Sequence, residues 1–539
     1  LLPIDPEITL SPLSSILLFI KVKSRKNFNV RVLMKPSSIS PDHSFTSKFC
    51  AQKYKLKHFF RQIMVLVVIS SVGILTSLSV NASIWIDTED SYLKASIRAL
   101  ANGGVIKTPI NTYPLLYKSI MADIKSAKNN KIAPHLQFAL QYVEHAIQHS
   151  KVEHKTGIKL KAASETDDFQ SFGERHLAKG EINLFTESIY DRWAFKSSVH
   201  FTKNAANDKS VSFEGSYLAT YLGNWVISLD QTSQWWGPGQ DSVMTLSNNA
   251  VAFPAIRFTR HNSTPIDLPV LNWLGPISMT TYFGQQEHSN ELQHIRTWGA
   301  RINFKPFDSL EIGVNRVAQW GGRGRPTDFS TFINLLKGED NTTLDGTISV
   351  ENEPGNQLGG IDFHWRDTLY GQNIGVYGEI VGEDEAGGFP SHTMYQLGLE
   401  TSFGSADTLN QLFLEYINTM ANCNDNASIG NCGYEHHVFK EGYRRYGRSM
   451  GSTYDNDTTG FILGLTQSRY GGVSWYGKLK YLYINKDNSN GRVTHPISEF
   501  AQKRLQLEAG YRTPLLGGLL KIQATLYRSK LTESNTSDT

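Results

Sequence analysis

From about Lys155 to the C-terminus, apolar residues recur at every second position, and that beat constrains the fold more than any other property of the chain. Trp193, Phe195, Ser197, Val199 and Phe201 alternate with Ala194, Lys196, Ser198 and His200. Phe213, Gly215, Tyr217, Ala219 and Tyr221 alternate with Glu214, Ser216 and Thr220. The pattern returns in Trp298-Ala300-Ile302-Phe304, Leu310-Ile312-Val314, Tyr395-Leu397-Leu399, Phe461-Leu463-Leu465, Leu505-Leu507-Ala509-Tyr511 and Leu520-Ile522-Ala524-Leu526. Gly, Asn, Asp and Pro clusters separate these runs. A soluble sandwich alternates too, but about 375 residues of segments roughly 8–11 long are too many for one sandwich and suit tilted membrane crossings. Tyr190, Trp193, Tyr221, Trp225, Trp475, Tyr476, Tyr481 and Tyr483 fall at segment ends, where rings sit at headgroup level. The expected fold is all-β: a large antiparallel transmembrane β-barrel of about 18 strands, at roughly 21 residues per strand and connection. No fixed-period repeat is present, which disfavours a propeller.

The N-terminal part reads differently. Ile63 to Leu78 is an apolar run preceded by Lys53, Lys55, Lys57 and Arg61 and followed by Val80-Asn81-Ala82. This describes a secretory signal peptide cleaved after about Ala82; the competing reading, a membrane anchor, lacks length and a basic stop-transfer cluster. Residues 51–82 are therefore assigned to the signal, and 1–50 to an over-extended start outside the fold, with initiation at Met34 or later. The whole chain carries 53 basic and 50 acidic residues. The leader holds 11 and 3 of them, so the remainder has 42 basic and 47 acidic residues and a charge of about −5. That balance gives no case for nucleic-acid binding. Residues 83–153 have helical spacing: Asp90 can cap a helix carrying Leu93, Ile97 and Leu100, Gly103-Gly104 can end it, Pro114 suits the start of a second and Pro134 that of a third. Residues 154–539 are the barrel. Beyond the leader, Cys423 and Cys432 flank a polar loop; a disulfide in an oxidising compartment, free thiols and a metal pair are the alternatives, and the metal lacks further ligand spacing.

Several stretches resemble the capsule-assembly Wzi family of Gram-negative outer membranes: Trp85 to Leu93 (WIDTEDSYL), Leu100 to Ile106 (LANGGVI), Pro109 to Pro114 (PINTYP), Asp230 to Asp241 (DQTSQWWGPGQD), Pro254 to Arg257 and Gly442 to Asp457 (GYRRYGRSMGSTYDND). The resemblance implies an 18-stranded barrel in the cell outer membrane, a small α-helical bundle plugging its periplasmic mouth, and lectin-like attachment of capsular or extracellular polysaccharide without catalysis or cofactor. Outer-membrane lipids and the barrel-assembly machinery are the other implied partners. The polar tail Ser529 to Thr539 departs from the closing aromatic residue of many such barrels.

Candidate chemistry is sparse. Gly447-Arg448-Ser449-Met450-Gly451 spells G-x-S-x-G, but its polar flanks do not make a strand-to-helix elbow. Glu383-Asp384-Glu385 is a dense carboxylate cluster on a Gly-rich segment and reads as a solvated loop rather than a facing pair of glycosidase acids. His294, His436 and His437 lack metal-ligand spacing. The Trp235-Trp236-Gly237-Pro238-Gly239-Gln240-Asp241 turn either offers exposed indoles to sugar C–H faces, with Gln240 and Asp241 bonding hydroxyls, or is a membrane-interface aromatic pair. Arg257, Arg260, Arg444, Arg445 and Arg448, like Arg323 and Arg325, either grip carboxylates of acidic capsular sugars or brace the barrel against Asp230, Glu379 or Asp455. The family resemblance, together with the β pattern, implies a non-enzymatic, lectin-like protein that attaches and organises capsular polysaccharide at the cell surface, with a substrate-specific porin as the other reading.

Overall fold

The computed structural model describes residues 15–20 and 84–532, apart from 129–130, 151–152, 287–291, 338–354, 387–388, 422–430 and 491–492. The signal run Ile63 to Leu78, Cys50 and Cys423 lie outside the described residues. Among the described residues no helix is long and apolar enough to cross a membrane.

The helical head forms as its caps dictate. Asp90 stands before helix α1 (Ser91–Asn102), and its carboxylate accepts the N–H groups of Tyr92 at 3.0 Å and Leu93 at 3.1 Å, two donors that the first turn cannot satisfy itself. Gly103 caps the other end, and Gly104 follows at φ +71°, a conformation that glycine enters without steric cost. The second helix does not begin at Pro114. Leu115–Leu116 instead pair as a short strand with Trp85–Ile86, and α2 (Tyr117–Ala127) starts just after them. Helix α3 (Pro134–Ser150) begins where Pro134 fixes the first-turn φ. The apolar stripes of the three helices, including Ile97, Leu100, Ile120, Leu136 and Val143, meet in one core.

The large sheet is an antiparallel meander of 19 segments, in which successive strands of the chain are neighbours. Its polarity is that of a membrane barrel. On Gln502–Leu515, Leu505, Leu507 and Tyr511 are 50%, 49% and 43% exposed, while Arg504, Gln506, Glu508 and Arg512 between them are buried. Ile361, Leu397, Leu414 and Phe461 likewise face outward, and Asp362, Gln396, Glu415 and Lys480 are buried on the inner side of the wall. A water-soluble sandwich would reverse these faces.

The continuous Phe213 to Tyr221 strand suggested by alternation is broken. Val211–Ser212 and Tyr217–Leu222 both pair with Trp193–Ala205. Between them the Ser216 hydroxyl takes the Ser198 N–H at 2.9 Å in place of a ladder partner. Counting these two pieces as one interrupted span, seventeen crossings run from His154–Ala162 to Gly518–Leu531. An odd number of alternating crossings leaves the first and last running the same way, so they cannot pair antiparallel with each other. Ser15–Ile20 lies between them as an eighteenth, antiparallel to both. Residues 1–50 were expected to stand outside the fold; the backbone of Ser15–Ile20 pairs antiparallel with the first and last of these crossings.

Short turns such as Asp308-Ser309, Tyr370-Gly371 and Leu516-Gly517 gather at one end, and the long connections 231–254, 321–354 and 419–458 at the other. The helical head joins the short-turn end, where Lys107 approaches Asp308 at 3.5 Å. Short turns mark the periplasmic mouth of such barrels.

Candidate functional site

The connection 231–254 does not project from the barrel. It folds back into the lumen and carries the WWGPGQD turn with it. Trp235 and Trp236 are completely buried, so they are neither exposed sugar platforms nor membrane-interface rings. Both pair as a two-residue strand with Thr112–Tyr113 of the head. The Trp235 ring meets Phe172 edge-on at 5.3 Å, its Nε1 donates to the Gly239 carbonyl at 3.1 Å, and Trp236 packs on Tyr282 at 5.6 Å. The Gly237-Pro238-Gly239 turn is what reverses the chain inward. Gly237 sits at φ +145°, and a Cβ on Gly239 would collide with the backbone carbonyl of Ser242.

That inward turn presents its carbonyls to the head as sockets. Lys94 Nζ on α1 donates to the Gly239 carbonyl at 2.8 Å, over the faces of Phe172 and Trp235. One helical turn on, Arg98 donates to the Pro238 carbonyl at 2.7 Å, to Asn111 Oδ1 at 2.6 Å and to Glu400 Oε1 on the wall at 2.7 Å. Lys94 and Arg98 are both buried; burial and then the adjacent Arg98 guanidinium hold the Lys94 ammonium well below the usual lysine range. The head is thereby bolted to turn and wall through a shared polar network. Sequence reasoning missed Lys94 and Arg98, although their i, i+4 spacing beside the apolar stripe of α1 is a signal for a second, polar face.

Gln240 and Asp241 finish the turn as structural groups rather than free hydroxyl binders. The Gln240 side chain donates to Glu400 Oε2 at 2.6 Å. Asp241 accepts from Lys478 at 2.6 Å, Lys480 at 3.1 Å and the Tyr454 hydroxyl, while its own N–H donates to Glu415 Oε2 at 2.9 Å. Burial alone would raise the Asp241 carboxyl, but the two ammonium groups overcome it and hold the group well below the carboxylate range.

The arginines divide in favour of bracing. Arg257 grips Asp230 through Nε at 3.1 Å and Nη2 at 3.0 Å. Arg444 pairs with Asp455 and Glu435, each at 2.6 Å. Arg445 donates to the carbonyls of Val251 and Ala252, and Arg448 to that of Asp167, so each ties one connection to another. Arg260 sits at the short-turn end and donates to the carbonyls of Ile277 and Thr264. Arg301 with Asp362 and Arg366 with Glu311 extend the same inner lattice and were not singled out from sequence. Ser449 of G-x-S-x-G is buried in the two-residue strand Arg448–Ser449, its hydroxyl accepting the Gly451 N–H. Cys432 is disulfide-bonded, its partner being outside the described residues. Among the described residues no group of three or more His, Cys, Asp or Glu is placed to hold a metal.

The loop that carries Arg444 also carries a titrating acid. Asp457 accepts the Asn431 N–H at 2.9 Å, and burial together with the Asp487 carboxylate pushes it up to about 7. A group raised in the fold contributes stability that is fully present below its unfolded value of about 4 and lost as pH rises through about 7. Amide exchange across 431–458 is therefore expected to speed up, beyond the intrinsic base catalysis, between pH 5.5 and 8.5, and Asp457→Asn to flatten that excess. Equal pH profiles for the two proteins would refute the assignment.

The comparisons with known proteins agree with this architecture. The family model described as Capsule assembly protein Wzi matches residues 149–539. An "uncharacterized 55.8 kDa protein in cps region" of Klebsiella pneumoniae is 29% identical over 357 residues, 65% of this chain and 69% of that relative. Among solved structures, Wzi of Escherichia coli, described as an outer membrane protein involved in group 1 capsule assembly and a carbohydrate binding beta-barrel, aligns over 83% of this chain and 99% of that chain, with a TM-score of 0.72 and 23% identity. The two share a fold, and the family match takes in every barrel crossing beyond the head. This chain belongs to the capsule assembly Wzi family.

Proposed function

We propose that the protein resides in the outer membrane and acts as a lectin-like anchor that attaches and organises capsular polysaccharide at the cell surface, without catalysing a reaction. The observation that carries the reading is the filled lumen. The WWGPGQD turn, Lys94 and Arg98 of the head and Glu400 of the wall close the bore with side chains that are each nearly or wholly buried, which suits attachment rather than passage. Family membership supports the same reading, as does the carbohydrate binding of the E. coli barrel of like fold. Of the residues singled out from sequence, Trp235, Trp236, Gln240, Asp241, Arg257, Arg444 and Arg445 frame the inner lattice, and the polymer is met at the long-connection end. Lipids surround the apolar belt, and the barrel-assembly machinery inserts it. Binding along a repeating polymer is multivalent, so each contact can be weak. Deleting the gene is expected to release capsule into the medium while total polymer stays constant; unchanged cell-bound capsule would overturn the proposal. Stable ion steps from the purified protein in planar bilayers would favour the substrate-specific porin instead.

A further inference from the structure

The barrel interior is not filled everywhere. A cavity of about 580 Å³ lies between the start of α1, the connection 163–177 and the inner face of Gln502–Leu515 and Gly518–Leu531, within the size range of small-molecule sites. Its rim includes the exposed residues Ser164, Glu165 and Asp168, at the long-connection end. The wall at 163–177 is held in place: Gly173 bonds Thr88 through its N–H, Gln170 bonds Asn249, Ser171 accepts from Lys480, and the Asp167 carbonyl accepts from Arg448.

Two features make the cavity a binding site rather than a packing gap. The first is an aromatic floor. The Tyr476 ring lies against the wall where Gly510 has no side chain, and a Cβ there would collide with it; Tyr92 stands 6.4 Å away, centroid to centroid. The second is a set of ion pairs already closed within the protein. Arg504 bonds Asp168 at 2.8 Å, Lys521 bonds Glu174 at 2.8 Å, Arg512 bonds Asp90 at 3.1 Å and Lys478 bonds Asp241 at 2.6 Å. Each cation that lines the cavity has its own carboxylate, so a ligand carboxylate would have to displace one. Paired guanidinium and carboxylate groups nevertheless retain unused donors and lone pairs, and buried Gln170 Oε1 and Arg512 Nε have no hydrogen-bond partner. The Tyr476 ring beside charge-balanced polar groups in one cavity matches one chemistry: the C–H faces and hydroxyls of uncharged sugar rings.

We infer that this cavity is a subsite for a short uncharged segment of the polysaccharide, a few neutral hexose residues, and that it does not select for uronic acids. The inference rests on the carbohydrate-binding reading above and names the ligand class inside it. Neutral gluco-, galacto- and manno-tetraoses and an acidic tetragalacturonate are to be titrated into the full-length protein in detergent, with saturation-transfer NMR and calorimetry as readouts. At least one neutral tetraose is expected to bind, with tetragalacturonate weaker by tenfold or more. Tyr476→Ala is expected to weaken the neutral ligand about tenfold, and Tyr476→Phe to keep most of the affinity. Gln170→Ala, away from the floor, should also weaken it, which keeps the test informative if Tyr476→Ala misfolds. Preference for tetragalacturonate, absence of binding by all neutral tetraoses, or binding that neither variant alters would overturn the subsite. Pull-down of whole capsule by the same preparations separates the two readings: capsule bound without any neutral tetraose removes only the subsite, and capsule not bound removes the anchor.

Discussion

Replacing Arg98 with methionine is expected to cost about 3–5 kcal/mol of stability, the usual penalty for removing one partner of a buried ion pair, and to make a silent barrel conduct. The side chains of Arg98 and Glu400 are 3% and 0% exposed, and the same guanidinium also holds the Pro238 carbonyl and Asn111. Methionine fills much of the volume but supplies none of these donors, so Glu400 keeps Asn102, Gln240 and His364 around a charge that has lost its arginine. Unfolding by urea in detergent, followed by heat-modifiable gel mobility, measures the first effect; planar-bilayer recordings measure the second. Adding Glu400→Gln to Arg98→Met should recover most of the stability, since it removes the stranded charge, but should leave the head loosely held and the conductance in place. If Arg98→Met unfolded with the parent protein and remained silent, the polar bolt would not be what fixes the head in the bore.

Much of this architecture was legible in the sequence because membrane barrels obey a local rule. The period of two in Leu505-Leu507-Ala509-Tyr511 assigns side chains to lipid or lumen without reference to any distant residue, and Asp90 and Gly103-Gly104 mark α1 by caps that act within one turn. The broken span at Phe213 to Ser216 was hidden because an interruption that keeps polar and apolar residues in step leaves the alternation intact. The site misled for a different reason. Tryptophan in a strand-end turn is compatible with exposure, and nothing within seven residues states that a Gly-Pro-Gly reversal will aim Trp235 and Trp236 inward onto Phe172 and Tyr282. Arginine clusters were ambiguous in the same way: Arg257 meets Asp230, 27 positions away, only once their two neighbouring strands pair, and Arg98 meets Glu400, 302 positions away, only once the head docks against the wall. Local chemistry fixed which residues face the lumen; long-range pairing decided which of them were left free to meet a ligand.

Gly239 is where that long-range pairing depends on the absence of a side chain, and Gly239→Val is expected to destabilise the protein by at least about 3 kcal/mol, combining overpacking with weakened bonds from buried cations. A Cβ at this position meets the Ser242 backbone carbonyl, with Gln396 Nε2 also in its way. A side-chain end could swing aside, but the Ser242 carbonyl belongs to the turn itself, so the turn must open. Opening withdraws the Gly239 carbonyl from Lys94 Nζ and from Trp235 Nε1, and shifts the Pro238 carbonyl away from Arg98. Lys94 is then left buried with its main acceptor gone. Gly104→Ala is the matching control: its φ is +71° but nothing lies within 4 Å of the added carbon, so it should cost only about 1–2 kcal/mol from the left-handed backbone. Urea midpoints of detergent-solubilised protein, read beside the yield of folded barrel in outer-membrane fractions, rank the two. The crowding at Ser242 predicts Gly239→Val well below Gly104→Ala in both measures; equal midpoints would mean that the turn is free to move and does not lock the head to the wall.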